Sequence, residues 1–198
     1  MTYKYGIDFG TTNSSIALRF VGDDKNEHTL VIDVKDTLPR ETMPSVLLVD
    51  RFGSISVGED AINKYTQSGV HNPNQLLIKR IKLDLEKQGN HFKYCVGQKE
   101  YAGVDLIAAI LKALRQKAEI QVDEWDVDVS GVVMGVPVEF GDIQKNVLKQ
   151  ALVKAGFYSD EEEAERKTEF VSEPIAVSVH YGLNLENDTT VLVFDFGG

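Results

Sequence analysis

The sequence predicts a mixed α/β fold, a partly parallel sheet covered by helices, on the strength of three observations. From residue 129 onward, strand-like apolar runs alternate with segments of helical period, the pattern of parallel strands joined by helices. Near the start, two extended runs flank a short polar turn, which reads as the beginning of an antiparallel meander. With 42% apolar and 26% charged residues over 198 positions, the chain is long enough to bury a sizeable core.

Taken in order, Tyr3 to Phe9 reads as a buried strand that stops at Gly10-Thr11-Thr12-Asn13, and Ser14 to Phe20 as its return. His28 to Val34 completes the meander, and Pro39 and Pro44 then punctuate a polar segment that sets an expected boundary near residue 36. Ser45 to Asp50 and Ser54 to Val57 read as short strands, Gly58 to Gln67 and Asn74 to Leu85 as helices separated by Gly69 to Pro73. Val104, Ile107, Ala108, Leu111, Leu114 and Ala118 mark one buried face of a long helix. Val129 to Val136 is a strand rich in β-branched residues. After it, Ile143, Val147, Leu148, Ala151, Leu152 and Ala155 predict a helix facing inward, with Gly156 as its C-terminal cap. Glu169 to Val171 is a short strand, Glu173-Pro174 opens a third helix that Gly182 ends, and Thr189 to Phe194 is the last strand. The expected division is a core of residues 1–36 and 103–198, with residues 37–102 inserted as a smaller α+β subdomain.

Charge and composition exclude several classes. A formal charge of −10, from 21 Lys plus Arg against 31 Asp plus Glu, argues against nucleic acid as a partner. The apolar runs, Val191 to Phe194 among them, are too short to span a bilayer, and Met1 to Lys4 opens no signal peptide, so a cytoplasmic protein with no membrane partner is expected. Cys95 is the single cysteine, which excludes an internal disulfide and a four-thiolate zinc site. His28, His71, His91 and His180 share no metal-ligand spacing, and the Ser and Cys hydroxyls and thiol have no recognisable base partner.

The chemistry concentrates elsewhere. In Asp8-Phe9-Gly10-Thr11-Thr12-Asn13, glycine allows close backbone approach, and amides with two hydroxyls can face phosphate oxygens. Asp8, at a strand end, is a hard oxygen donor suited to Mg²⁺, often through water. The same residues also suit an ordinary polar turn. No Gly-Lys-Ser/Thr loop and no GxGxxG sequence occurs, and the Asp-Phe-Gly triplets lack the companion motifs of protein kinases. Ile7-Asp8-Phe9-Gly10 is echoed by Phe194-Asp195-Phe196-Gly197, as if two similar lobes each gave one turn to a shared site. Ile78-Lys79-Arg80-Ile81-Lys82 gathers three cations in an acidic chain. Lys79 suits charge that develops in phosphoryl transfer, whereas Lys82 reads as part of a solvated helix face. Glu173, opening a helix after a strand, could orient water or hold a metal's water shell, or simply complement the helix terminus. Asp160 to Glu165 reads as a solvated acidic loop.

Together these segments resemble the first half of an actin-like ATPase and, within that fold, the heat-shock protein 70 (DnaK-type) chaperones. Gly6 to Ser14 resembles the family's first phosphate motif, Thr42-Met43-Pro44-Ser45 its Thr-Pro-Ser entry, and Ile78-Lys79-Arg80-Ile81 its Lys-Arg segment. Val136-Pro137-Val138-Glu139-Phe140-Gly141-Asp142-Ile143-Gln144-Lys145 resembles Val-Pro-x-x-Phe-x-x-x-Gln-Arg. Ser172-Glu173-Pro174-Ile175-Ala176 resembles Asn-Glu-Pro-Thr-Ala, and Val193 to Gly198 the start of the second phosphate motif.

The resemblance implies a ribonuclease H-like lobe with a mixed five-stranded sheet, ATP or ADP with Mg²⁺ and a candidate K⁺, and hydrolysis coupled to unfolded peptides and co-chaperones, with a role in the stress response. It implies Lys79, Glu173, Asp195 and Asp8 as catalytic residues. Gly10, Thr11, Thr12, Asn13, Gly197 and Gly198 would bind phosphate, and Asp8, Asp195 and Glu173 would hold Mg²⁺ largely through water. Lys145 stands in place of the family arginine, Asn13 where some members carry Tyr, and the acidic run at 160–165 has no counterpart in the usual pattern. The stop at Gly197-Gly198 leads to the expectation of a truncated piece lacking the second lobe and the peptide-binding domain, inactive by itself. The weighed alternative is an actin-like filament ATPase.

Overall fold

Alternation along the first strand sets the geometry of the whole molecule. Tyr3, Tyr5, Ile7 and Phe9 are buried and the residues between them lie on the opposite face, as period-two pleating requires. The computed structural model describes residues 2–21, 26–34, 40–68, 72–121 and 128–180. Strand β1 (Thr2–Phe9) turns through residues 10–12 into β2 (Asn13–Val21), its antiparallel partner, and β3 (Glu27–Val31) continues the meander. The third strand starts one residue before the expected His28 and ends at Val31. The buried Ile32 and Val34 continue past it, tied by Ile32 N–H to Ile16 O at 3.0 Å and Val34 N–H to Arg40 O at 2.9 Å.

A two-residue strand, β4 (Met43–Pro44), pairs with the start of β2. Next come β5 (Leu47–Asp50), β6 (Ile55–Val57), the helix α1 (Gly58–Ser68) and β7 (Gln75–Ile78), and the three strands form a separate sheet in the order β6-β5-β7. Helix α2 (Ile81–Gln88) follows. The expected single helix from Asn74 to Leu85 is therefore a strand, a two-residue bend and a shorter helix. Leu76 to Ile78 pair with Leu47 to Val49 of β5, and these ladder bonds are available only once β5 lies alongside. After a 3-10 turn at Gly89–His91, strands β8 (Lys93–Val96) and β9 (Lys99–Ala102) make a hairpin that sequence periodicity left unassigned, turning at Gly97 with φ +61°.

Helix α3 (Gly103–Gln121) buries Leu106, Ile107, Ala108, Ile110, Leu111, Leu114 and Ala118, close to the predicted face. Strand β10 (Asp128–Val136) enters parallel to β1, and α4 (Asp142–Lys154) packs beside α3 with Val147, Leu148, Ala151 and Leu152 inward. Ile143, expected inward, is 58% exposed at the first turn of α4, where its Cγ2 lies over Gly89. Gly156 takes φ +84° just past the end of α4, as the predicted cap requires.

The acidic run expected as a loop is helix α5 (Glu161–Lys167): Asp160 caps it by accepting Glu163 N–H at 2.8 Å, and Ala164 is fully buried beneath it. Strand β11 (Thr168–Ser172) runs parallel to β10, and α6 (Glu173–His180) follows at once. Among the described residues the main sheet has six strands, in the order β11-β10-β1-β2-β3 with β4 paired against β2, one more than the expected five. No helix among the described residues is long and apolar enough to cross a membrane. The predicted strand Thr189 to Phe194 and the predicted helix stop at Gly182 lie outside the described residues.

Candidate functional site

Three parallel strands end side by side. Asp8 on β1 is level with Gly135 on β10, Gly135 with Val171 on β11, and Val136 with Ser172, so that Glu173 opens α6 directly above the strand ends. Carboxyl ends of parallel strands are where open α/β sheets bind ligands. Asp8 is exposed and Glu173 half-buried, and a Cβ built on Gly135 would lie 4.0 Å from Glu173 Cγ. Asp8 and Glu173, distant in sequence, are thus brought to the same end of the sheet, on the two strands that flank β10.

The turn from β1 to β2 is held from outside. A Cβ on Gly10 would sit 2.1 Å from Asn13 O, so only glycine permits this tight a reversal. Ser45 N–H donates to Thr12 O at 2.8 Å and Ser45 Oγ–H to Gly10 O at 2.8 Å. Ser14 Oγ lies 2.8 Å from Ser45 Oγ, and both hydroxyls are buried. With the Ser45 proton directed at Gly10 O, Ser14 is the donor of that pair. Sequence reading singled out Thr42 to Ser45 only for its resemblance; its physical work is to clamp the turn that carries Gly10, Thr11, Thr12 and Asn13. Thr11 is half-buried, and Thr12 and Asn13 are exposed.

The basic segment divides in a way the sequence did not predict. Lys79 and Arg80 occupy the bend between β7 and α2 and are exposed. Lys82, expected on a solvated face, is instead 6% exposed, and its Nζ donates to Glu173 Oε1 at 2.6 Å. The far end of α2 is tied as well: Gln144 Nε2–H donates to Glu86 O at 3.2 Å, while Gln144 Oε1 accepts Gly141 N–H at the start of α4. The signal for a buried Lys82 lies in its spacing: it follows the buried Ile81 and precedes the buried Leu85 by three, flanking one helix stripe.

Among the described residues no group of three or more His, Cys, Asp or Glu lies together in a way that could hold a metal ion. The donors at the strand ends are the carboxylates of Asp8, which is exposed, and of Glu173, whose Oε1 accepts from Lys82; such hard oxygens suit a magnesium ion holding its own water shell rather than a cage of direct ligands. Asp195, Gly197 and Gly198 lie outside the described residues, as does the echo Phe194 to Gly197.

A family model described as Hsp70 protein matches residues 4–198. The chaperone protein DnaK of two Halobacterium salinarum strains, R1 and NRC-1, is in each case 34% identical over 193 residues, covering 98% of this chain. The chain spans 27% of the length of these curated relatives.

Proposed function

The chain belongs to the Hsp70 protein family, and from that premise we propose that it supplies the first lobe of an ATP-binding and ATP-hydrolysing unit in a molecular chaperone, with hydrolysis governing the grip on unfolded peptides. The supporting observation is the meeting of Asp8, the clamped Gly10–Asn13 turn and Glu173 at one end of the main sheet. In this reading the backbone amides of residues 10–13 and the hydroxyls of Thr11 and Thr12 hold phosphate oxygens, joined by Gly197 and Gly198. Asp8, Glu173 and Asp195 hold the waters of a bound Mg²⁺, whose charge would screen the phosphates. Lys79, on an exposed bend, brings a compact ammonium to the γ-phosphate and the attacking water.

The finer features belong to the same proposal. Residues 37–102 form an inserted α+β subdomain, supported by the β6-β5-β7 sheet and the β8–β9 hairpin, which pair within that span. A potassium site, co-chaperone partners, a cytoplasmic setting and a stress-response role rest on family membership.

Lys79→Ala in the ATP-hydrolysing protein that carries these residues is expected to lower kcat by on the order of 100-fold or more, the scale of losing one preorganised electrostatic group. Nucleotide affinity should stay largely intact. Single-turnover hydrolysis and equilibrium binding measure the two separately, and wild-type turnover would refute the role.

A further inference from the structure

Lys82 is, among the described residues, the one charged side chain that is buried. An ammonium is seldom withdrawn from water unless a carboxylate compensates it, and here the compensating group is Glu173, 91 positions away in sequence and itself a proposed member of the site. We infer that Lys82 is a positioning residue: its ammonium fixes the Glu173 carboxylate at the strand ends, so that Glu173 meets the nucleotide's water shell in one orientation rather than as a mobile side chain.

Three features support this. The contact is short at 2.6 Å, with the lysine side chain 8% and the glutamate side chain 30% exposed, so solvent screens it little from the lysine side. The other described ion pairs leave each cation more exposed, from 16% for Lys149 up to 57% for Arg19, and so more open to solvent screening. Lys82 also sits in the first turn of α2, three residues beyond Lys79, so one short helix start carries an outward cation and an inward one. Gln144 holds the opposite end of α2 at Glu86 O, so that the helix is tied to the main-sheet side of the molecule at both ends. Holding one carboxylate oxygen in place leaves the other to take part in water binding, the role outer partners play around catalytic and metal sites.

The inference rests on the reading of Glu173 given above, and a double-mutant cycle separates the two. In the ATP-hydrolysing protein carrying these residues, Lys82→Met keeps the stem and removes the charge. It is expected to lower kcat about 10-fold to 100-fold, the usual cost of losing an outer partner, with KM for ATP little changed. In a Glu173→Gln background the same substitution should change kcat by less than about twofold, and Lys82→Arg should recover part of the loss. Equal losses in both backgrounds, or wild-type kcat in Lys82→Met when Glu173→Gln is impaired, would overturn the positioning role. Wild-type kcat in Glu173→Gln would remove the reading of Glu173 and the inference with it.

A second measurement needs no Lys82 variant. In the 198-residue chain labelled with nitrogen-15, a paired, buried ammonium gives an observable side-chain NH₃⁺ resonance protected from exchange with water. The Lys82 resonance should be visible in the unsubstituted chain and lost in Glu173→Gln. Its absence from the unsubstituted chain would overturn the inference.

Discussion

Ser45 shows how one hydroxyl can hold a loop that other residues use. It is fully buried, donates to Gly10 O and accepts from Ser14, and so bridges the turn and the strand leaving it. Ser45→Ala leaves the Ser14 hydroxyl and the Gly10 carbonyl short of a partner, at a cost of about 1–3 kcal/mol. The expected readout is a lowered urea midpoint at unchanged m value. Adding Ser14→Ala should cost less than the sum of the single changes, because the second substitution removes the orphaned group. The two lysines make the complementary point: Lys79 and Lys82 are three residues apart and chemically identical, yet one faces solvent and the other a carboxylate.

At the scale of elements, α5 shows local electrostatics building a helix of only seven residues. The Lys167 ammonium, and then the Ser159 N–H, pull the Glu163 carboxyl down to about 2 from the ordinary 4.5. The Glu163 N–H likewise holds Asp160 below its usual range. A depressed carboxyl in the folded state stabilises it above the ordinary value and loses that contribution as pH falls towards the folded value. Helix α5 is therefore expected to loosen between about pH 4.5 and pH 2, while remaining intact from pH 5 upward. Amide exchange at Ala164, whose N–H donates to Asp160 O at 3.2 Å, reports this directly; unchanged protection across the window would show the cap to be dispensable.

Across the whole molecule, the charge of −10 makes any site for a polyanion depend on where the few cations go. The fold sends Lys79 and Arg80 to an exposed bend and uses Lys82 to bind α2 to α6. On the proposed reading, a phosphate clamp needs contacts that a second lobe supplies, so titration calorimetry of ATP into this 198-residue chain is expected to show weak or no binding. Tight stoichiometric binding would place the entire clamp within these residues.

Much of this was legible in the amino-acid order. Period-two burial in Tyr3 to Phe9 and the 3.6-residue stripe of α3 are local patterns, and the ordered succession of motifs from Gly6 through Glu173 carries the resemblance to the family whose model matches the chain. Contacts between distant segments were not legible. Leu76 to Ile78 carry apolar residues that suit a strand or a helix, and only the bonds offered by β5 select the strand. The acidic run became a helix because Asp160 caps it and Ala164 found a buried seat. Lys82 left solvent because Glu173, remote in the chain, arrives opposite it. Periodicity and motif depend on neighbours in sequence, so the sequence alone determined the family and the main core elements. The choice among equally permitted local states depends on partners brought near by folding, and only the tertiary structure decided it.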